Sequence, residues 1–169
     1  MTMSPRWRKA ALTAHIVASV GMLGAIAAFL ALAIGGLAAD GELLVRATFI
    51  AMDWTARLVV VPLGLAALLT GLIQALGTRW GLFRHYWVLA KLLLTAFALT
   101  VLLLKIELIG YGARLALEEV LPRTELQTVG MELMIHAAGG LLVLLLPAIL
   151  SVYKPAGVTP WARDAGDIR

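Results

Sequence analysis

Residues 80–98 read WGLFRHYWVLAKLLLTAFA, and this stretch decides what kind of protein the chain is. Arg84, His85 and the aromatics Trp80, Phe83, Tyr86 and Trp87 crowd its first turns. Apolar residues then follow, interrupted by Lys91. Basic and aromatic residues ahead of a long apolar run mark the entry of a helix into lipid. Working outward, the run continues to about Leu108. Three further apolar segments fill most of the remaining chain, at about residues 10–37, 47–76 and 131–153. Each is long enough to cross about 30 Å of hydrocarbon as a helix. The expected fold is therefore all-α: a polytopic membrane protein built as an antiparallel bundle of four transmembrane helices.

Composition agrees. Apolar residues make up 62 % of the 169, well above the half or so of a soluble domain. There is no cysteine, which removes disulfides, thiolate metal sites and iron–sulfur clusters. The formal charge of +4 does not call for nucleic acid, because the bases sit at segment ends. Arg6, Arg8 and Lys9 precede an apolar stretch too long for a signal-peptide core of about 7–15 residues, so it reads as an uncleaved first span.

The bases also set an orientation. Arg6, Arg8, Lys9, Arg79, Arg84, Lys154, Arg163 and Arg169 lie at the N-terminus, the second connection and the tail. Asp40, Glu42, Glu118, Glu119 and Glu125 lie in the first and third connections. The positive-inside rule places both termini in the cytoplasm, with the bundle spanning a bacterial cytoplasmic membrane. Residues 1–155 form the bundle and 156–169 a polar tail.

Local features are expected within this frame. Asp40 is a plausible N-cap of the second helix. Asp53 and Arg57 are four apart and pair along one face. Pro62 kinks the second span. Arg114, Glu118 and Glu119 make a short surface helix ahead of Pro122.

Ionisable residues inside a membrane are costly, so each is a candidate for function. Lys91 lies about two turns inside the third span, and His15 a similar distance inside the first, both counted from the cytoplasmic side. Their side chains reach the same depth and define an inner-leaflet pocket. Lys91 shares a helical face with Arg84, Trp87 and Thr95; His15 shares one with Ser19 and Met22. The bland alternative is a snorkelling lysine and a histidine bonded to a backbone carbonyl. His85 sits at the interface, about 120° around the helix from Lys91.

A second group belongs to the outer half: Asp53, Arg57, Lys105, Glu107, Glu132 and His136. An ion-pair network that fixes helix register explains it. Met52, Met131 and Met134 invite a copper reading, but Met134 and His136 point to nearly opposite sides of one helix, so no metal site is expected. Three histidines limit haem to one b-type group, or a five-coordinate porphyrin on His15 alone, with His85 or Met22 as the candidate second axial ligand.

The motif His15…Gly21-Met22-Leu23-Gly24 and the motif Trp87-x-x-x-Lys91 resemble those of a broad superfamily of small polytopic bacterial proteins. It includes the copper-resistance D membrane domains and the membrane-bound, haem-associated protoporphyrinogen oxidases. There the matching His and Lys are implicated in function, although Met22 stands where the broader pattern has tryptophan. ALTAHIVASVG, PLGLAALLTGL, WGLFRHYWVLAKLLLT and VYKP together resemble more closely an uncharacterised family of integral membrane proteins from high-GC bacteria. The resemblance covers about residues 10–155. That family carries no settled activity. Taken with the inner-leaflet pocket, the broader superfamily's His and Lys lead to the expectation of a redox or porphyrin-binding membrane protein whose candidate cofactor-binding residues are His15, Lys91, His85, Met22 and Trp87, with a quinone as a candidate partner. Two other functions fit the bare sequence: an accessory subunit bound to a membrane protein or to a second copy, and a small permease for a solute, an ion or copper. The lack of ionisable groups near the midplane of spans one, two and four counts against the permease.

Overall fold

A computed structural model describes residues 3–78, 81–153, 155, 157, 159 and 160. Arg79, Trp80, Lys154, Arg163 and Arg169, counted above among the inner bases and aromatics, lie outside the described residues. Four long helices account for nearly everything else: Pro5–Ala38, Glu42–Gly77, Tyr86–Leu115 and Arg123–Tyr153. All four are long and apolar enough to cross a membrane, and no strand element occurs among the described residues. This is the architecture of a multi-pass membrane protein and of an all-α four-helix bundle.

Short links force consecutive helices to run antiparallel as neighbours. The first helix packs on the second and the fourth, and the third packs on the same two. The first and third therefore face each other across a diagonal. One end of the bundle carries both termini and is called the terminal end below; the other is the distal end. The outer surface is made of leucine, isoleucine, valine and phenylalanine. Only 11 % of the most apolar window of the third helix is buried, so the rest of it needs lipid for solvent.

The helices outrun the apolar segments. The third continues as one helix to Leu115, and residues 116–120 form turns, so the surface helix expected around Arg114, Glu118 and Glu119 is absent. The fourth begins at Arg123, directly after Pro122, whose carbonyl accepts the Leu126 N–H at 3.0 Å. Hydropathy marks where lipid stops, but backbone hydrogen bonding carries a helix on into water as long as its last carbonyls find donors. The N–H groups of Ala116, Leu117 and Glu118 supply those donors to the carbonyls of Gly112, Arg114 and Leu115, and Arg46 holds the turn that presents them. Its guanidinium reaches the carbonyls of Ala116 and Glu118, each at 2.6 Å, and is itself anchored by Glu42 at 2.5 Å. A cation on the C-terminal carbonyls also complements the helix dipole.

Asp40 does not cap the second helix. Gly41 occupies the N-cap, and the Asp40 carbonyl instead accepts a bond from Arg123 at 2.5 Å. Ahead of Pro62 the second helix widens into a π turn over Ala56–Val60, with the Val61 N–H bonded to the Ala56 carbonyl. Proline has no N–H and crowds the carbonyl four residues back; a wider turn relieves that crowding without ending the helix.

Packing is uneven along the bundle. The distal half holds the main core, with Phe49, Met52, Ile109, Leu126 and Leu133 buried in it. Phe49 fills a socket of three glycines. A Cβ added at Gly112 would meet its ring at 2.9 Å, one at Gly130 at 3.1 Å, and one at Gly36 at 3.8 Å. Such small residues let helices close up in lipid, where dispersion replaces the hydrophobic effect as the cohesive force. A smaller cluster of Met22, Ile26, Val60 and Leu144 crosses the middle. Beyond it, toward the terminal end, the helices part.

Candidate functional site

The space left between the helices at the terminal end is a cavity of about 1020 Å³, walled by all four. Ligand pockets run to about 300–1,000 Å³, so this one takes a large occupant. Its walls are mostly apolar, and its polar groups are specific: His15 and Ser19, Gln74, Lys91 and Thr95, and Ser151. Arg8 and Lys9 stand at the rim, and among the described residues no carboxylate lines it.

His15 is held by the second helix. Its Nδ1 lies 3.0 Å from the Ala67 carbonyl and 3.1 Å from the Thr70 hydroxyl oxygen, whose own proton goes to the Ala66 carbonyl at 2.6 Å. A carbonyl only accepts, so Nδ1 carries the proton, and in the neutral ring Nε2 keeps its lone pair. Nε2 has no hydrogen-bond partner among the described residues, and no buried side-chain nitrogen or oxygen there is left unsatisfied. Nε2 is thus open to the cavity. The ring lies against Gly71, where a Cβ would sit 3.1 Å from its Cε1.

Lys91 enters from the opposite corner. Its ammonium donates to the Ser151 hydroxyl at 3.0 Å and lies 4.9 Å from the centre of the Trp87 ring, a cation–π distance. Ser151 passes its own proton to the Pro147 carbonyl at 2.8 Å. Lys91 and His15 line the same cavity. The depth count from the two basic ends therefore brought two diagonal helices to one cavity.

The other sequence-derived candidates divide. Trp87 lines the cavity and is buried with Ala75 and Val88. Met22 also lines it, deeper, with its sulfur against Gly64. His85 is elsewhere: it caps the third helix in an extended conformation, its ring centre 6.1 Å from that of Trp87, and it does not line the cavity. Several participants went unnoticed in the sequence. Gln74, which bonds the Ala11 carbonyl at 3.3 Å, is a solitary amide in an apolar run and could have been flagged on that ground. Ser151 and Thr70 carried no such signal, and Gly71 was legible only as a small residue suited to close helix packing. Arg8 and Lys9 were read only as topology determinants.

The outer group forms separate pairs. Arg57 binds Asp53 at 2.7 Å and the Ile106 carbonyl at 3.3 Å. Lys105 binds Glu132 at 2.6 Å, while the His136 Nδ1 lies 2.7 Å from the Glu132 backbone carbonyl rather than its carboxylate. Glu107 is exposed. Among the described residues no three His, Asp or Glu side chains converge as a metal site would require.

Comparison of the chain with protein-family models, with curated proteins and with solved structures finds no match.

Proposed function

We propose that this protein binds a carboxylate-bearing porphyrin, with or without iron, in the terminal cavity, and that it does so in a bacterial cytoplasmic membrane with both termini in the cytoplasm. One observation carries the reading. A large apolar cavity presents an unpartnered imidazole nitrogen and a lysine, and the charged groups among its described lining residues are all cations. An apolar body with acidic substituents complements each of those features. The residues fit such a group. His15 Nε2 would ligate a metal at the porphyrin centre, and Lys91, Arg8 and Lys9 would hold carboxylates. Trp87 and Leu92 would meet the ring by dispersion. Met22 is two turns from His15 on one helix, about 10 Å along its axis, too far to share an iron with it. With His85 outside the lining, His15 is the one imidazole among the described lining residues. Bound iron would supply one-electron chemistry, with a quinone as the candidate partner. The resemblance of the His15 and Lys91 motifs to haem-associated membrane proteins points the same way.

Titration of the detergent-purified protein with haemin should give a Soret band that saturates at one equivalent. His15→Ala should abolish the band. Lys91→Ala should weaken binding about tenfold or more, the worth of a charged hydrogen bond. His85→Ala should change it least. A protein that stays colourless and copurifies with another membrane protein overturns the reading in favour of an accessory subunit. The orientation has its own test: in intact cells Glu118→Cys should react with an impermeant maleimide and Arg8→Cys should not. The reverse pattern would invert the topology.

A further inference from the structure

Three of the four seams around the cavity are tied. The first and second helices are joined by His15 on Ala67 and by Gln74 on Ala11. Ala75 packs with Trp87 and Val88 across the second and third. Lys91 on Ser151 joins the third and fourth. The fourth seam, between the first and fourth helices, is different. Those helices meet near Leu37 and Gly130 and again around Met22 and Leu144, but no hydrogen bond described here joins them on the terminal side of Met22. Burial repeats the asymmetry. Lining residues from the second and third helices are buried or half-buried. Those flanking the open seam are exposed although they line the same space: Ile16 at 52 %, Val20 at 63 % and Val152 at 77 %. All three are apolar, as a lipid-facing opening demands. At the rim, by contrast, the chain crosses over: Met3 lines the cavity and its N–H bonds the Gly77 carbonyl at 3.1 Å.

We propose that the cavity is loaded sideways, out of the leaflet, through the seam between the first and fourth helices, by a bilayer-dissolved amphiphile that carries a carboxylate. The inference rests on the porphyrin reading for the occupant and on the seam for the route. An amphiphile lying in the leaflet keeps its acidic group at the headgroups, level with Arg8 and Lys9. It can move its apolar body past Ile16 and Ala148 without passing through water. Its acid then travels from the rim toward Lys91, so a cation is near along the whole path. The ligand class follows: molecules that partition into membranes bind, and water-soluble anions of similar charge do not.

The test uses full-length protein in phosphatidylcholine nanodiscs, mixed with phosphatidylcholine vesicles preloaded with haemin, with Soret growth followed in time. Ile16→Phe combined with Ala148→Phe should slow loading about tenfold, in the range by which a gated approach lowers association rates, and leave the end-point spectrum unchanged. Met3→Ala should leave the rate unchanged. If the seam variant loads at the wild-type rate, or Met3→Ala speeds loading, the lateral route is wrong while the porphyrin reading stands. If the wild type takes up no haemin, the porphyrin reading fails. The route is then decided by a protein whose only tryptophan is Trp87, in phosphatidylcholine nanodiscs doped with a mid-chain-brominated fatty acid, which carries the carboxylate. Quenching that falls when Ile16 and Ala148 become phenylalanine supports entry through the seam, and quenching that does not change overturns it.

Discussion

At the distal end a phenylalanine from the second helix is received by glycines on the other three; at the terminal end a histidine from the first helix is received by a glycine on the second. The contact is alike and the outcome is opposite. Phe49 has no polar atom to satisfy, so Gly36, Gly112 and Gly130 close on it and the space disappears. His15 has two nitrogens and the wall of Ala67, Thr70 and Gly71 engages one of them, so the other has to face open space. A bundle in lipid gains little from hydrophobic burial, because lipid is as apolar as a leucine core. Close packing is what holds it, and this protein concentrates that packing in one half. The other half is free to be a container.

The largest break in this comparison should come from filling the socket. Gly112→Leu has no room, with Phe49 at 2.9 Å and Val129 at 3.1 Å from the new Cβ alone. Overpacking of this kind costs about 1–3 kcal/mol and sometimes more. The measured midpoint of thermal unfolding in detergent should fall steeply. Gly71→Ala, the same kind of change at the open end, should barely move that midpoint yet weaken haemin binding, because the new methyl displaces the imidazole. Equal destabilisation by the two would mean that the halves are not distinct.

A smaller effect is expected from Arg46→Ala. It strips the donors from the carbonyls of the turn that follows the third helix, at about 1–2 kcal/mol for charged hydrogen bonds partly replaced by water. Hydrogen exchange should quicken around residues 112–116 and stay unchanged around Lys91. Arg46→Lys should recover little, since an ammonium lacks the planar fork that reaches two carbonyls at once. The least effect belongs to the pair of Lys105 and Glu132. Single alanine changes there should lower the unfolding midpoint slightly, and to the same extent with and without copper. A copper-dependent stabilisation lost in His136→Ala would turn that network into a metal site.

Much of this was legible in the sequence. Four apolar runs gave four helices. The spacing of Asp53 and Arg57 gave their ion pair, because four residues is a local, helical distance. The shared depth of His15 and Lys91 came from counting inward from two basic ends, which works when both helices enter from the same side. What could not be read depends on contacts remote in sequence. Nothing near Arg46 announces the Ala116 carbonyl, and nothing near Ser151 announces Lys91. Helix ends were misjudged for a related reason: around Arg114 and Glu125 the composition turns polar while the hydrogen bonding does not stop. The untied seam was invisible too, since sequence shows which residues can make a contact and is silent on which pair of helices lacks one.

Backbone bonds at the terminal end join residues made at very different times. Met3 cannot find the Gly77 carbonyl until the second helix has been synthesised, a wait on the order of ten seconds at about 5–20 residues per second. Thr159, fully buried with its N–H on the Arg84 carbonyl and its hydroxyl on Phe83, arrives later still. The distal socket is complete as soon as the fourth helix reaches Gly130, but the terminal end waits for the tail. During biogenesis the terminal end, with the cavity wall of Pro147 and Ser151, is therefore the last part of the bundle to be finished.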